Sequence, residues 1–276
     1  MPEGEPMNQV GTDQAGPVLL ERRGAVAEVT LNRPDQHNAL DVALKERLVD
    51  VLADLADDVS VRAVVLTGAG RSFCVGQDLG EHAHLLHSDP ATAFGTVGAH
   101  YSPIVSALAT MPKPVIAAVN GTCVGAGLGF ALACDLRVFA EGGKLGTAFS
   151  GIGLTADSGL SATLVQAVGR ARAAELLLLG PMFSTEDAVA WGVAGRIVSP
   201  DEVLGTAREL ADRLAAGPTL AYAESKALLA EAAAGADLES VLAAEGAAQA
   251  RLGLTADHQG AVRSFLAKER PSFTGE

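Results

Sequence analysis

Pro114-Val-Ile-Ala-Ala-Val-Asn-Gly-Thr-Cys-Val-Gly-Ala-Gly-Leu-Gly-Phe-Ala-Leu-Ala-Cys-Asp135 is the stretch from which the rest of the chain can be read. Its apolar opening, Val115 to Val119, suits a strand buried on both faces. Asn120-Gly121 breaks that run, and the residues that follow have almost no side chain: Gly125, Ala126, Gly127 and Gly129. The apolar segment Leu128 to Cys134 then reads as a buried helix. A strand that turns through small residues into a helix leaves unpaired N–H groups at the helix start. Those donors, with the positive end of the helix dipole, suit an anion or a carbonyl oxygen that becomes anionic. The alternative reading is close helix packing, which small residues also permit. A dinucleotide-binding turn fits less well, because its third glycine would fall on Phe130.

Composition narrows the function classes. The 276 residues are 49% hydrophobic but only 4% aromatic, so the core must be filled by Ala, Val and Leu. Lys and Arg total 20 against 33 Asp and Glu, and the net charge of −13 argues against nucleic-acid binding. Cys74, Cys123 and Cys134 are an odd number in apolar surroundings and read as reduced, buried thiols of a cytoplasmic protein. No signal peptide is recognisable at the N-terminus, and no uncharged apolar run reaches the ~18 residues that read as a membrane span.

Outward from the opening stretch, residues 1 to 16 read as a disordered tail. Val18–Arg23 and Ala25–Leu31 alternate like paired strands, and an amphipathic helix follows Asn38-Ala-Leu-Asp41 to about Asp57. Ala63–Thr67 is a second buried strand, and Arg71-Ser-Phe-Cys-Val-Gly-Gln-Asp-Leu79 reads as a loop with Gly76 at a strained turn. Residues 80 to 100 read as a loosely held helical excursion, followed by a helix over 102–110. Leu136–Phe139 is a further strand. Helices are predicted over 158–168, 170–179, 184–191 and 200–215. The recurring order of strand, glycine turn and helix indicates an α/β fold with short crossovers. After Gly217-Pro218, residues 217–276 form a helical region, and residues 17–216 form the core.

Five stretches together resemble the enoyl-CoA hydratase/isomerase (crotonase) superfamily. They are Leu31-Asn-Arg-Pro-Asp-Gln-His-Asn-Ala-Leu40, the block Val61–Leu79, the opening stretch, Ala188-Val-Ala-Trp-Gly-Val-Ala-Gly-Arg-Ile-Val198, and Phe265-Leu-Ala-Lys-Glu-Arg-Pro-Ser-Phe-Thr-Gly275. The resemblance implies a spiral of repeated ββα units with a C-terminal helical region, assembled as trimers or paired trimers. It implies an acyl thioester of coenzyme A as substrate and no cofactor beyond the coenzyme A that the substrate carries. It also implies two backbone N–H donors for the thioester oxygen, here those of Gln77 and Ala126. Removing one such donor costs about 3 kcal/mol of transition-state stabilisation. Positions implied to lie along the coenzyme A, the thioester and the acyl group are Arg33, Ala39, Gly76, Asp78, Leu79, Gly125 and Phe149, with Phe265 and Lys268 closing over them from the tail.

Hydratases of this superfamily use two glutamates, and the matching positions here are Gly129 and Phe149, neither of which transfers a proton. A carboxylate stands nearby at Asp157, in Ile152-Gly-Leu-Thr-Ala-Asp-Ser-Gly159. Read from the residues alone, Asp157 caps a helix that starts at Ser158. Its segment, with Val168–Arg172 and Glu175–Gly180, is similar to the dienoyl-CoA and epoxyphenylacetyl-CoA isomerase branch, where that Asp is the working carboxylate. The expectation is therefore an acyl-CoA isomerase in which Asp157 moves a proton while Gln77 and Ala126 hold an enolate oxygen. A non-catalytic acyl-CoA-binding protein and a hydratase with unusual acid/base groups are the alternatives. His82, His84 and His87 lack the partners of a metal site, and one of them is expected to line the acyl pocket instead.

Overall fold

The computed structural model describes residues 16–90 and 92–276. The tail read as disordered, apart from Gly16, lies outside the described residues. In chain order the elements are β1 (Val18–Arg23), β2 (Val26–Leu31), α1 (Val42–Asp57), β3 (Ala63–Gly68), β4 (Ser72–Cys74) and α2 (Leu79–Ser88). A π-helical turn over Val97–Tyr101 runs into α3 (Ser102–Thr110), and β5 (Val115–Val119), β6 (Thr122–Val124) and α4 (Ala126–Ala133) follow. Next come β7 (Leu136–Ala140), β8 (Lys144–Gly146), a short 3-10 turn over Ser150–Ile152, α5 (Leu160–Leu179), β9 (Phe183–Ser184) and α6 (Thr185–Trp191). The chain closes with β10 (Arg196–Val198), α7 (Val203–Ala215), α8 (Thr219–Ala233), α9 (Leu238–Leu252) and α10 (Ala256–Ala267).

The strands divide between two sheets. One runs β1-β2-β3-β5-β7-β10 and is parallel from β2 onward, with β1 and β2 an antiparallel hairpin. The other runs β4-β6-β8-β9, parallel except for β9. Each passage of the chain leaves one strand in each sheet: β3 then β4, β5 then β6, β7 then β8. This is a ββα spiral, and it is why the fold is mixed α/β.

The apolar opening of β5 explains its central place. Val115, Ala117 and Val119 face the main core with Leu66, Phe139 and Leu108, while Ile116 and Ala118 face a second layer. That second layer is closed by α7, whose Val203, Ala207, Ala211 and Ala215 recur every four residues along one stripe. Alanines there let the helix lie close to the sheet, which is how a chain with few aromatic residues fills its interior.

Several boundaries differ from the sequence reading. β4 falls inside the segment read as a loop, and β6 lies between Asn120-Gly121 and the helix. Three-residue strands show too little alternation to be recognised. α4 starts at Ala126 instead of Leu128 and ends at Ala133. α5 starts at Leu160, two residues later than read, and Gly169 leaves helical geometry (φ 73°, ψ 161°) between its two segments. Cys74, Cys123 and Cys134 are free and buried.

α8 is tied to the core by charge. Lys226 Nζ donates to the Asp135 carboxylate and to Leu108 O, both at 2.8 Å. Arg62 gathers two separate segments, donating to Gly217 O and to Thr219 Oγ1 at 2.8 Å at the start of α8, and to Phe273 O at 2.9 Å near the C-terminus. Among the described residues no helix is long and apolar enough to cross a membrane.

Candidate active site

Two glycine turns from successive passages of the spiral meet at the edge of the smaller sheet. Gly76 has φ 83° and Gly125 has φ 57°, conformations that favour glycine. A Cβ on Gly76 would stand 3.2 Å from Val124 O and 3.3 Å from the nitrogen of Ala126, so the turns are in backbone contact. Gln77 is bridged in parallel to Leu40: Leu40 N donates to Gly76 O at 2.8 Å and Asp78 N donates to Leu40 O at 3.2 Å. In a parallel bridge the residue between those two bonds turns its own N–H away from the partner strand. Ala126 is the first residue of α4, where an N–H has no intrahelical acceptor. Neither N–H has a backbone or side-chain acceptor among the described residues.

Close packing is also present, at a different glycine. A Cβ on Gly127 would stand 2.4 Å from Cys74 O, so α4 lies against β4 as only glycine permits. Gly125 N donates to Gly146 O at 3.0 Å, and Gly76 N donates to Cys74 Sγ at 3.4 Å, which fixes both turns to their strands. Burial pushes the Cys74 thiol up to about 12, so this sulfur is an inert acceptor and not a nucleophile.

The turns open onto a cavity of about 420 Å³ lined by Ala39, Gly76, Gln77, Leu79, Gly125, Ala126, Phe149 and Asp157 among others. Its remaining walls are chiefly apolar, including Phe94, Val97, Val124 and Leu154. Asp157 does not cap α5. The N-cap position is Gly159, with no side-chain cap, and it is the backbone oxygen of Asp157 that accepts from Leu160 N at 3.0 Å. Its carboxylate accepts from the Ser158 hydroxyl at 2.8 Å. Burial raises the Asp157 carboxyl above the ordinary aspartate range, against the lowering effect of that hydroxyl. Ser158 (φ 50°) and Ala148 (φ 60°), which flanks Phe149, are non-glycine residues in the left-handed region. Such conformations cluster at functional sites.

Gly129 is occluded. A Cβ there would stand 2.5 Å from both Cβ and O of Ser158, so the segment carrying Asp157 fills the space into which a side chain at position 129 would project. Phe149 is nearly buried and forms a cavity wall, its ring 4.0 Å from a Cβ built on Gly125. Both positions where hydratase glutamates were sought are thus closed by apolar or backbone atoms.

Of the other residues singled out in the sequence, most lie outside the cavity lining. Arg33 donates to Ala39 O, to Asp78 at 3.0 Å, and pairs with Asp41 at 3.1 Å, so two carboxylates already balance its charge. Asp78 caps α2, accepting from Gly80 N at 3.0 Å and Glu81 N at 3.1 Å. Burial alone would raise its carboxyl, but those N–H groups and Arg33 hold it below the usual range. Phe265 is 81% exposed on α10 and Lys268 ends that helix with φ 59°; neither lines the cavity. His82 does line it, edge-on to Phe94 with ring centroids 5.2 Å apart. Among the described residues no three His, Cys, Asp or Glu side chains are grouped to hold a metal.

The sequence reading passed over Tyr101. Its ring is buried in the cavity wall and its hydroxyl donates to Gln77 Oε1. Burial, and then the negative charge of Asp157, push the phenol upward. The available signal was rarity, since the chain has two tyrosines.

Comparison with known proteins shows which family this fold and sequence are similar to. Residues 21–276 match the family model for enoyl-CoA hydratase/isomerase. The 1,2-epoxyphenylacetyl-CoA isomerase of Escherichia coli K12 is 39% identical over 94% of this chain and 98% of its own length. A short-chain-enoyl-CoA hydratase of Clostridium acetobutylicum is 32% identical over 92% of this chain and 95% of its own. A crystal structure from Mycobacterium abscessus superposes with a TM-score of 0.90 at 46% identity, covering 94% of this chain and all of that one.

Proposed function

The chain belongs to the enoyl-CoA hydratase/isomerase family, and on that footing we propose that it isomerises an unsaturated acyl-CoA thioester by moving a proton through Asp157. The observation that carries this reading is a half-buried carboxylate in the acyl cavity whose side chain is released from helix capping. Gln77 and Ala126 N–H groups receive the thioester oxygen. Asp157 takes a proton from a carbon of the acyl chain, and the electron pair flows toward the thioester to give an enolate. The two N–H donors stabilise that charge where water is excluded. The protonated Asp157, whose carboxyl proton exchanges with solvent before it is delivered, then protonates another carbon, the double bond shifts, and one proton is put back for the one removed. Its raised pKa suits both halves, because a stronger acid would be a poor base.

A water-adding role is supported less well. It needs acid and base groups in addition to Asp157, and the positions that would supply them are occupied by Phe149 and closed by Ser158. The test is deuterium incorporation at the acyl carbons across a panel of CoA thioesters, with Asp157→Asn beside the wild type. Exchange without mass gain from water is expected in the wild type. The variant should bind the thioester and lose roughly 10²–10⁴-fold in exchange. Exchange at the wild-type rate in the variant would remove Asp157 from the mechanism.

Self-assembly into trimers accompanies this reading. Leu178 and Leu179 on α5 and Phe265 and Leu266 on α10 are each at least 75% exposed, apolar surface of the kind that neighbouring copies cover. Light scattering on the purified protein checks it, and a monomer would refute it.

A further inference from the structure

The mechanism above uses only the backbone of Gln77, yet its carboxamide lies in the cavity wall within a directed hydrogen-bond chain. At one end is Lys45, 1% exposed, whose ammonium donates to Glu81 Oε1 at 3.0 Å. The other Glu81 oxygen accepts from Val42 N at 2.7 Å. Gln77 Nε2 faces Glu81 Oε1 at 3.4 Å, and the Tyr101 hydroxyl donates to Gln77 Oε1. This arrangement fixes which edge of the amide is which. A carboxylate only accepts, so the edge facing Glu81 must be the NH₂, and the carbonyl edge must take the tyrosine proton. Turning the amide over would set two acceptors against each other at Glu81.

An NH₂ carries two hydrogens. One is directed at Glu81, and no acceptor for the other appears among the described residues. The wall therefore presents an oriented N–H donor in a cavity whose lining is chiefly apolar, with Phe94, Val97, Phe149 and Leu154, and whose other polar side chains include Asp157, His82 and Thr96. A hydrocarbon acyl chain that displaced water there would leave the donor unpaired, whereas an acyl oxygen would accept from it.

We infer that this site selects acyl groups bearing an oxygen acceptor, such as an ether, epoxide, hydroxyl or ring carbonyl, with Gln77 as the specificity-determining side chain and Tyr101 as its positioning residue. The inference rests on the acyl-CoA reading of the cavity but not on the role of Asp157.

Matched thioesters that exchange oxygen for methylene test it by calorimetric binding: phenoxyacetyl-CoA against 3-phenylpropanoyl-CoA, and 3-methoxypropanoyl-CoA against pentanoyl-CoA. Wild type should bind the oxygen member of at least one pair severalfold to about tenfold more tightly, the range set by satisfying rather than stranding one part-buried donor. Gln77→Leu, which keeps the backbone N–H, should bring that ratio near one. Tyr101→Phe, which removes one of the two contacts that hold the amide in place, should lower it severalfold. Equal wild-type affinity within both pairs, or a ratio that survives Gln77→Leu, would overturn the inference while leaving the Asp157 test standing. If no thioester binds, the acyl-CoA reading fails, and this inference fails with it.

Discussion

Consider Gly129→Ala, a single methyl group placed at the start of α4. The new Cβ would lie 2.5 Å from two atoms of Ser158, about 0.9 Å inside the 3.4 Å at which ordinary contact begins. One of those atoms is a backbone oxygen in a buried residue held at φ 50°, so no side-chain rotation relieves the clash. Overpacking of this kind costs about 1–3 kcal/mol, and the helix preference for alanine over glycine returns up to about 1 kcal/mol. A net loss of about 1–2 kcal/mol lowers Tm by roughly 2–8 °C in a chain of this size. The larger effect is on chemistry. The shift falls on the residue next to Asp157, and a displacement near 1 Å at a reacting group costs on the order of 10²-fold. Differential scanning calorimetry and deuterium exchange into a CoA thioester measure the two effects separately. A variant with both wild-type Tm and wild-type exchange would refute the claim that Ser158 occupies this space and holds Asp157 in place.

Further tests address other parts of the molecule. Gly76→Ala forces a side chain into positive φ and wedges a Cβ between Val124 O and Ala126 N, so exchange should fall about 10²–10³-fold with a Tm loss worth about 1–2 kcal/mol. Exchange catalysed by the wild type should rise with pH through an Asp157 constant above the ordinary ~3.9, a limb that Asp157→Asn lacks. The sign for stability is opposite. A carboxyl raised in the folded state favours its protonated form, so its contribution is full below the unfolded constant and lost as pH rises through the folded one. Asp157→Asn should therefore melt above wild type at neutral pH, and the gap should close toward about pH 4. Lys226→Met leaves Asp135, already raised by burial against Lys226, without its cation; about 2 kcal/mol should be lost, below the figure for a fully buried pair. Faster trypsin cleavage near residue 217 would accompany that loss.

Much of the fold was legible in the residues because its large elements carry strong periodicity. The doubly buried β5, the hairpin of β1 and β2, and the helix over 200–215 that becomes α7 each follow from spacing. β4 and β6 were not legible, since three residues fit a loop equally well. At the site, the glycine turns could be read, but their contact could not, because it depends on β4 pairing with β6 far along the chain. Asp157 looked like a helix cap until the helix was seen to begin at Leu160. Gly129 read only as a missing glutamate, and the structure adds that Ser158 stands in its place. Beyond the rarity of tyrosine, Tyr101 and the Gln77 side chain gave no signal; what matters about them is a meeting between the Gly76 turn, the π-helical turn and the cavity.

The meeting of Gly76 and Gly125 has a thermodynamic consequence. Each turn hangs from a strand of the smaller sheet, β4 or β6, which are short and share few pairings. A thioester oxygen gripped by both N–H groups is a clamp across that weak seam. Ligand binding and closure of the sheet are then linked equilibria, so a thioester at a hundred times its Kd should add about 2.7 kcal/mol against opening. Amide hydrogens of 72–76 and 122–126 should accordingly slow their exchange together when ligand is added, because a single local opening would expose both.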